Sequence, residues 1–181
     1  MTDSIHSKLD IIEHITQAFD QVSGFMYNLT SAQFMQGPAD QWSVGQHLHH
    51  LVLSTLPIND LLLGNIEHLK VFGTPERASW NYKQLVKQYQ TFLTQGAKAK
   101  KGFVPAKLTP HDKQEVIEAF VQAKEALILA IEQWDDDQLD NYCIPHPLLG
   151  KLSVREMLFF TIYHTRHHLR GIKRLLRNIL N

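Results

Sequence analysis

Four long stretches of this chain carry apolar residues at intervals of three and four, the spacing that places them on one face of an α-helix. In the first stretch these residues are Ile5, Leu9, Ile12, Ile15, Phe19, Val22 and Met26. Similar stretches follow residues 43, 112 and 153. Amphipathic helices of this length bury their apolar faces against one another, so the pattern predicts an all-α protein.

Local signals set the expected ends of the first two helices. The apolar pattern of the first runs from Ile5 to about Leu29. Ser43 and Gln46 then have the spacing of a capping box, which predicts a second helix that runs to about Lys70. Pro57 lies inside that pattern and is expected to kink the helix without ending it.

The last two helices have start signals of their own. Thr109-Pro110, followed by Asp112, predicts the start of the third helix. The acidic run 135–137 is expected to end this helix as a solvated turn. A short link over residues 142–150 then leads to Ser153 and Glu156, whose spacing predicts a second capping box and a final helix to about Leu180.

The connection between the second and third helices is unusually long. It spans residues 71 to 109, and a short helix over roughly Trp80 to Thr94 is expected within it. Four long helices with one such crossover predict an up-down-down-up four-helix bundle. At 181 residues the chain has the usual length of one domain, so we expect residues 1–181 to form a single unit.

Composition narrows the partners and the compartment. Lysine and arginine together number 18, as do aspartate and glutamate, so no bulk field attracts nucleic acid or an acidic membrane. Cys143 is the one cysteine, which excludes an internal disulfide and suits a reducing cytoplasm. The first residues lack the apolar run of a signal peptide. We therefore expect a soluble cytoplasmic protein with neither nucleic acid nor membrane as its partner.

Histidines on two different predicted helices are the candidate functional residues. His164 and His168 are four residues apart, so both lie on one shoulder of the apolar stripe of the last helix and could converge on one metal ion. His167 falls nearly opposite that stripe. By itself such a pair is a weak motif, since two partly exposed histidines are the more common reading.

The second helix offers a third histidine, but helical periodicity does not decide which one. His47 lies nearer the core shoulder than His50, by a small margin, and His49 points away from both. Two neighbouring histidines at the border of a core are also common as polar edge residues. His47 and His50 therefore both remain candidates on periodicity alone.

Missing motifs exclude several classes of enzyme. Thr165 follows His164 where zinc proteases have glutamate, and the chain contains no Glu-x-x-His pair of the di-iron kind. Glycine-rich dinucleotide and phosphate-binding loops are absent, as is the Gly-x-Ser-x-Gly elbow of serine hydrolases.

Several motifs, taken together, resemble those of the DinB-like family. They are Trp42-Ser43, His50-Leu51, the turn His146-Pro-x-x-Gly150, and His164-x-x-x-His168 followed by Leu169. The resemblance runs from the first helix to the C-terminus. The family includes YfiT-like metal-dependent hydrolases and bacillithiol-type thiol transferases.

The resemblance implies a helical bundle that binds one divalent metal ion, usually nickel or zinc. By position, its ligands would be His50, His164 and His168, with water in the remaining coordination positions. This overrules the slight preference of the helical wheel for His47. His47 and His146 are then candidates for the wall of the pocket, although His146 could equally be a turn residue whose ring satisfies backbone groups.

Several functional hypotheses follow. The first is a hydrolase or thiol S-transferase in which metal-activated water or a low-molecular-weight thiol attacks a small electrophilic substrate. The second is a stress-response module that binds metal or ligand without turnover, and the third is a plain bundle with incidental histidines. Nucleic-acid binding by the arginine-rich edge of the last helix with Lys98–Lys101 is disfavoured, because that edge lacks interleaved aromatic residues. Broad apolar faces would also allow a homodimer.

Overall fold

Four long helices dominate the computed structural model, which describes residues 5–180, with side chains as far as Arg177. In chain order the elements are α1 (Lys8–Tyr27), α2 (Ser31–Phe34), α3 (Val44–Leu63), α4 (Tyr82–Thr94), α5 (Lys113–Glu132), α6 (Asp136–Asn141), β1 (Cys143–His146), β2 (Gly150–Ser153) and α7 (Val154–Leu180). The prediction of a helical bundle is confirmed. Residue 181 and residues 1–4, which belong to the stretch that lacks the apolar run of a signal peptide, lie outside the described part. Within residues 5–180, no helix combines the length with the hydropathy that crossing a bilayer requires.

Side-chain caps fix where the long helices begin. The Ser7 hydroxyl accepts the Asp10 amide at 3.1 Å and the Asp10 carboxylate accepts the Ser7 amide at 2.9 Å, so α1 begins at Lys8, later than predicted. The predicted capping box of Ser43 and Gln46 starts α3. Each cap satisfies amides that the first turn of a helix leaves without partners.

The second long helix ends earlier than expected. It continues through Pro57 but stops at Leu63, and Gly64 has an extended backbone. The segment Ile66–Phe72 forms a separate 3-10 helix in which the Asn65 side chain accepts the Glu67 amide. The apolar pattern therefore spans two helical pieces that periodicity alone cannot separate.

Helix α5 packs on both α1 and α3, and bonded residues give the relative directions. Lys8 at the start of α1 reaches the carbonyl of Trp134 just past the end of α5, so these two helices are antiparallel. Asn59 donates to the Ala123 carbonyl and the Trp134 indole donates to the Leu62 carbonyl, which makes α3 and α5 parallel.

Helix α7 completes the bundle by packing on both α1 and α3. It is parallel to α1, because Arg155 bonds the His6 carbonyl while Lys173 lies over the ring of Phe25. Helix α3 is therefore antiparallel to α7. These directions are those of an up-down-down-up arrangement, and they bring the first half of α3 beside the middle of α7.

Between α5 and α7 the chain forms two elements where the sequence predicted a turn and a link. Asp135 caps helix α6 by accepting the Gln138 amide at 2.7 Å, so the acidic run begins a helix instead of forming a solvated turn. The predicted link forms a two-stranded antiparallel hairpin, β1 with β2, that pairs His146 with Gly150. Gly150 has a φ of 76°, a conformation that favours glycine. Four-residue strands are too short to show a period.

A buried carboxylate attaches the crossover to the bundle. Glu156, which is 2% exposed, accepts the Ser153 amide at 2.8 Å and so completes the second predicted capping box. Its other oxygen accepts the Trp80 amide at 2.7 Å and an Arg77 guanidinium N–H at 2.6 Å. One side chain therefore joins the start of α7 to the segment that leads into α4, whose predicted helix is present at Tyr82–Thr94.

Replacing this carboxylate should destabilise the protein strongly. Glu156→Ala leaves the Arg77 guanidinium and two amides without their acceptor, and we expect the free energy of unfolding to fall by about 3 kcal/mol. The measurement is denaturant-induced unfolding followed by circular dichroism. Glu76→Ala removes an ion pair with Lys151 in which the Glu76 carboxylate is 81% exposed, so it should have a much smaller effect on stability. Equal losses in the two variants would contradict the role of Glu156.

Candidate metal centre

Three histidine side chains converge where α3 crosses α7. The Nε2 atom of His50 lies 3.1 Å from that of His164, which in turn lies 3.0 Å from the Nε2 atom of His168. Among the described residues, these three form the group whose ligand atoms all lie within 4.8 Å of one another. All three are buried, with exposed fractions of 6%, 4% and 8%.

Two helices supply these imidazoles, and local packing fixes the position of each helix. His164 and His168 lie one turn apart on α7, as their spacing predicted. His50 lies near the start of α3, where Phe34 of α2 packs so closely on Gly45 that a Cβ atom there would come within 2.4 Å of its ring. The Trp42 ring, 4.8 Å from that of His50, covers the cluster at the same end of α3.

The proton on His50 has a defined place. Its Nδ1 lies 2.6 Å from the carbonyl oxygen of Phe103, which can only accept, so Nδ1 carries the proton and donates. The Nε2 atom of the neutral ring is therefore a bare lone pair directed at His164. This is the tautomer that a metal ligand needs, with its N–H held by a backbone carbonyl.

Burial keeps these rings neutral. It lowers the pKa of His50, although the Phe103 carbonyl opposes this effect, and it holds the pKa of His164 and His168 well below the usual imidazole range, with a smaller contribution from neighbouring histidines. Three neutral rings then direct nitrogen atoms at one small volume.

The donor set and its spacing fit a divalent metal ion. Two ligand nitrogens about 2.1 Å from a metal and about 90° apart are about 3 Å from each other, close to both nitrogen separations found here. Imidazole suits zinc and nickel. The residues present therefore fit the predicted group.

A cavity of about 570 Å³ leads to the cluster, and its wall is mainly apolar and aromatic. Tyr89 of α4 packs edge-on to His164, and Phe160 stacks on His164 with a centroid distance of 4.8 Å. The segment 97–100 and Phe103, from the crossover, line another part of the wall. Asp40 is the one carboxylate residue among the described residues of the lining.

The other predicted histidines occupy different positions. His47 lines the cavity, but its Nδ1 lies 2.9 Å from Nδ1 of His168, away from the point where the three Nε2 atoms meet. His146 also lines the cavity, and its Nδ1 accepts the amides of Leu148 and Leu149. His146 therefore lies in the cavity wall and also stabilises its own turn. His167, which the wheel placed opposite the stripe, lines the cavity too, outside the three-histidine group.

Sequence reasoning missed the contribution of the crossover to the site. Trp80 and Tyr82, near the start of α4, pack against other side chains: the Arg77 guanidinium lies 3.3 Å from the Trp80 ring centroid, and Tyr82 contacts Phe159. Tyr89 and Phe103 line the cavity instead. Only the apolar stripe of α4 gave a signal for Tyr89. Nothing in the sequence marked the Phe103 carbonyl, since a backbone acceptor has no sequence signature.

Comparisons with known proteins support the family resemblance. A sequence profile described as the DinB superfamily matches residues 14–172. No curated protein matches the chain significantly in sequence. Among solved structures, the colibactin self-resistance protein ClbS in complex with a double-stranded DNA is similar, with a TM-score of 0.56, 15% identity, and coverage of 97% of this chain and 98% of that one.

The ClbS complex corrects one expectation drawn from composition. A balanced net charge was taken to exclude nucleic acid as a partner, and that exclusion is wrong, because a protein of this fold is found bound to duplex DNA. Net charge averages over the whole surface, whereas a duplex contacts one face. Local clusters of arginine and lysine therefore matter more than the sum.

His146 should make the protein sensitive to acid. Burial, helped by Lys100, lowers its pKa to about 4 from 6.5, so the unfolded chain takes up a proton below pH 6.5 that the folded ring refuses until about pH 4. The contribution of His146 to the free energy of unfolding is complete above pH 6.5 and decreases as the pH drops. Between pH 7 and 5 the loss should be about 2 kcal/mol.

The variant His146→Asn isolates the part of the pH-dependent stability that comes from His146. Its Oδ1 can accept the same two amides but does not titrate, so the decrease in unfolding free energy between pH 7 and 5 should be smaller by about 2 kcal/mol. Denaturant titrations with a chelator present measure it. His68→Asn, at an exposed position, is the control, and an unchanged pH dependence in His146→Asn would refute the assignment.

Proposed function

Because the chain belongs to the DinB superfamily and brings three imidazoles together at the end of an apolar cavity, we propose that it is a metal-dependent enzyme. Its substrate would be a small, largely apolar electrophile, and the reaction a hydrolysis or the transfer of a low-molecular-weight thiol. The observation that carries this proposal is the meeting of the three Nε2 atoms beside open space. His50, His164 and His168 would hold one divalent ion, nickel or zinc.

The metal would supply Lewis acidity: held by three neutral ligands, it keeps nearly its full charge and lowers the pKa of a bound water or thiol toward neutrality. The protein itself would orient the ligands and exclude water. Phe103 fixes the His50 tautomer, while Trp42, Tyr89 and Phe160 shield the cluster from bulk water and offer flat apolar surface to a substrate. An apolar lining that excludes water strengthens the electrostatic interactions inside the cavity.

A cavity of this size sets the class of substrate. About 570 Å³ lies within the range of pockets for small molecules and is too narrow for a folded protein or a duplex. The apolar lining favours a hydrophobic body. Carboxylates are nearly absent from the wall, so proton removal from the nucleophile would depend on lowering its pKa more than on a general base.

Removing one of the three histidines should abolish metal binding and catalytic activity together. We expect the purified protein to carry about one equivalent of zinc or nickel, and His164→Ala to retain less than a tenth of it, because two ligands remain. Elemental analysis gives the metal content. The same preparations are then screened with several thiols, or water alone, against model electrophiles, with turnover expected only in the loaded wild-type protein.

His167→Ala is the matched control, because it removes a histidine of the same helix that lies outside the group, and it should keep its metal. Circular dichroism checks the folding of both variants. Retention of metal by folded His164→Ala would contradict the site. Metal binding without turnover in any thiol or water arm would contradict the enzyme and favour a binding module.

A second candidate function is binding of duplex DNA by the outer face of α7. The side chains of Arg170, Lys173, Arg174 and Arg177 are exposed along its C-terminal half. A structural neighbour of this fold is in complex with duplex DNA, which supports such a role. Regularly spaced cations on a straight helix can follow a line of phosphates.

Neutralising part of this face should weaken DNA binding and its dependence on salt. For the double variant Arg170→Gln with Arg174→Gln, the slope of log affinity against log salt should fall by about two, one for each lost phosphate contact. Fluorescence anisotropy of a labelled duplex measures this slope. Lys83→Gln with Lys87→Gln, on α4, is the control of equal charge. Similar slopes in the two double variants, or no binding at low salt, would exclude this face as the DNA site.

A further inference from the structure

His47 has a second-layer position behind the three-histidine cluster. Its Nδ1 lies 2.9 Å from Nδ1 of His168, on the side of the His168 ring away from the cluster, while Nε2 of His168 lies 3.0 Å from that of His164. Both nitrogens of His168 are therefore engaged. His47 contributes no atom to the group that could hold a metal.

Hydrogen-bond chemistry fixes the roles of the two Nδ1 atoms once His168 is a ligand. Two nitrogens at this distance share one proton, so one ring donates and the other accepts. If Nε2 of His168 binds metal, its proton must lie on Nδ1. His168 then donates to His47, whose Nδ1 is bare and whose own proton is on Nε2.

The arrangement parallels that of His50, whose N–H is accepted by the Phe103 carbonyl. A carbonyl can only accept a hydrogen bond, whereas an imidazole can accept or donate one. His47 therefore fixes the tautomer of His168 only when His47 carries its own proton on Nε2.

We propose that His47 is a positioning residue that accepts the Nδ1–H bond of His168 and thereby presents the Nε2 lone pair of His168 to the metal. This inference rests on the metal centre proposed above. Partners of this kind orient a ligand ring and raise its basicity, and their loss lowers metal affinity 10–100-fold in other proteins. We expect a loss of that size here.

The decisive comparison is between His47→Phe and His47→Asn. Phenylalanine keeps a flat ring without an acceptor, whereas the Oδ1 atom of asparagine branches from Cγ as the His47 Nδ1 does and can accept the bond. Competition with a chromophoric chelator measures Zn²⁺ affinity. We expect one site in each variant, with affinity reduced 10–100-fold in His47→Phe and within about threefold of wild type in His47→Asn.

Two further variants test the direction of the bond and its location. His47→Asp can only accept, so it should bind Zn²⁺ at least as well as His47→Asn, and an affinity as low as that of His47→Phe would overturn the acceptor role. His49→Phe removes a neighbouring histidine that the wheel points away from the cluster, and it should bind like wild type.

The outcomes separate this inference from the proposal on which it depends. Wild-type affinity in His47→Phe would overturn the positioning role and leave the metal centre standing. Equal losses in the Phe and Asn variants would show that His47 acts through packing, which also overturns it. A wild-type protein that binds neither Zn²⁺ nor Ni²⁺ would overturn both. If His47→Phe does not fold by circular dichroism, His47→Leu takes its place as the variant without an acceptor.

Discussion

The antiparallel contact of α3 with α7 is the constraint on which the candidate site depends. It places His50 within 3.1 Å of His164, although 114 residues separate them along the chain. At this distance one imidazole nitrogen can donate a hydrogen bond to the other, and the same two nitrogens are close enough to bind one metal ion. Packing holds the two helices together, so the fold itself maintains the arrangement of the histidines.

Periodicity and capping signals were sufficient to predict the bundle. The Ser43–Gln46 and Ser153–Glu156 boxes begin the two helices that carry the candidate ligands, and the spacing of His164 and His168 placed both on one side of α7. These signals are local, since each depends on residues within two turns of a helix. The hairpin and α6 have fewer residues than a reliable period requires, which is why the sequence showed a link and a turn there.

Choosing between His47 and His50 was beyond helical periodicity for a physical reason. Both rings face α7, and they meet different nitrogens of its histidines, His50 through Nε2 of His164 and His47 through Nδ1 of His168. A helical wheel gives the direction of a Cβ atom and not the nitrogen that a ring presents. The cavity wall was equally out of reach, because the crossover residues near Phe103 follow no repeat and act partly through the backbone.

The two proposed activities use opposite sides of one helix and can coexist. His164 and His168 are buried toward α3, whereas Arg170 and Arg174 are exposed. A duplex resting on those arginines would not reach the imidazoles, because a cavity of about 570 Å³ does not admit one. Chemistry on a DNA base would require the base to leave the stack and enter the cavity, at a cost of a few kcal/mol. A small electrophile needs no such step, so the interior favours a free small molecule even if the outer face binds DNA.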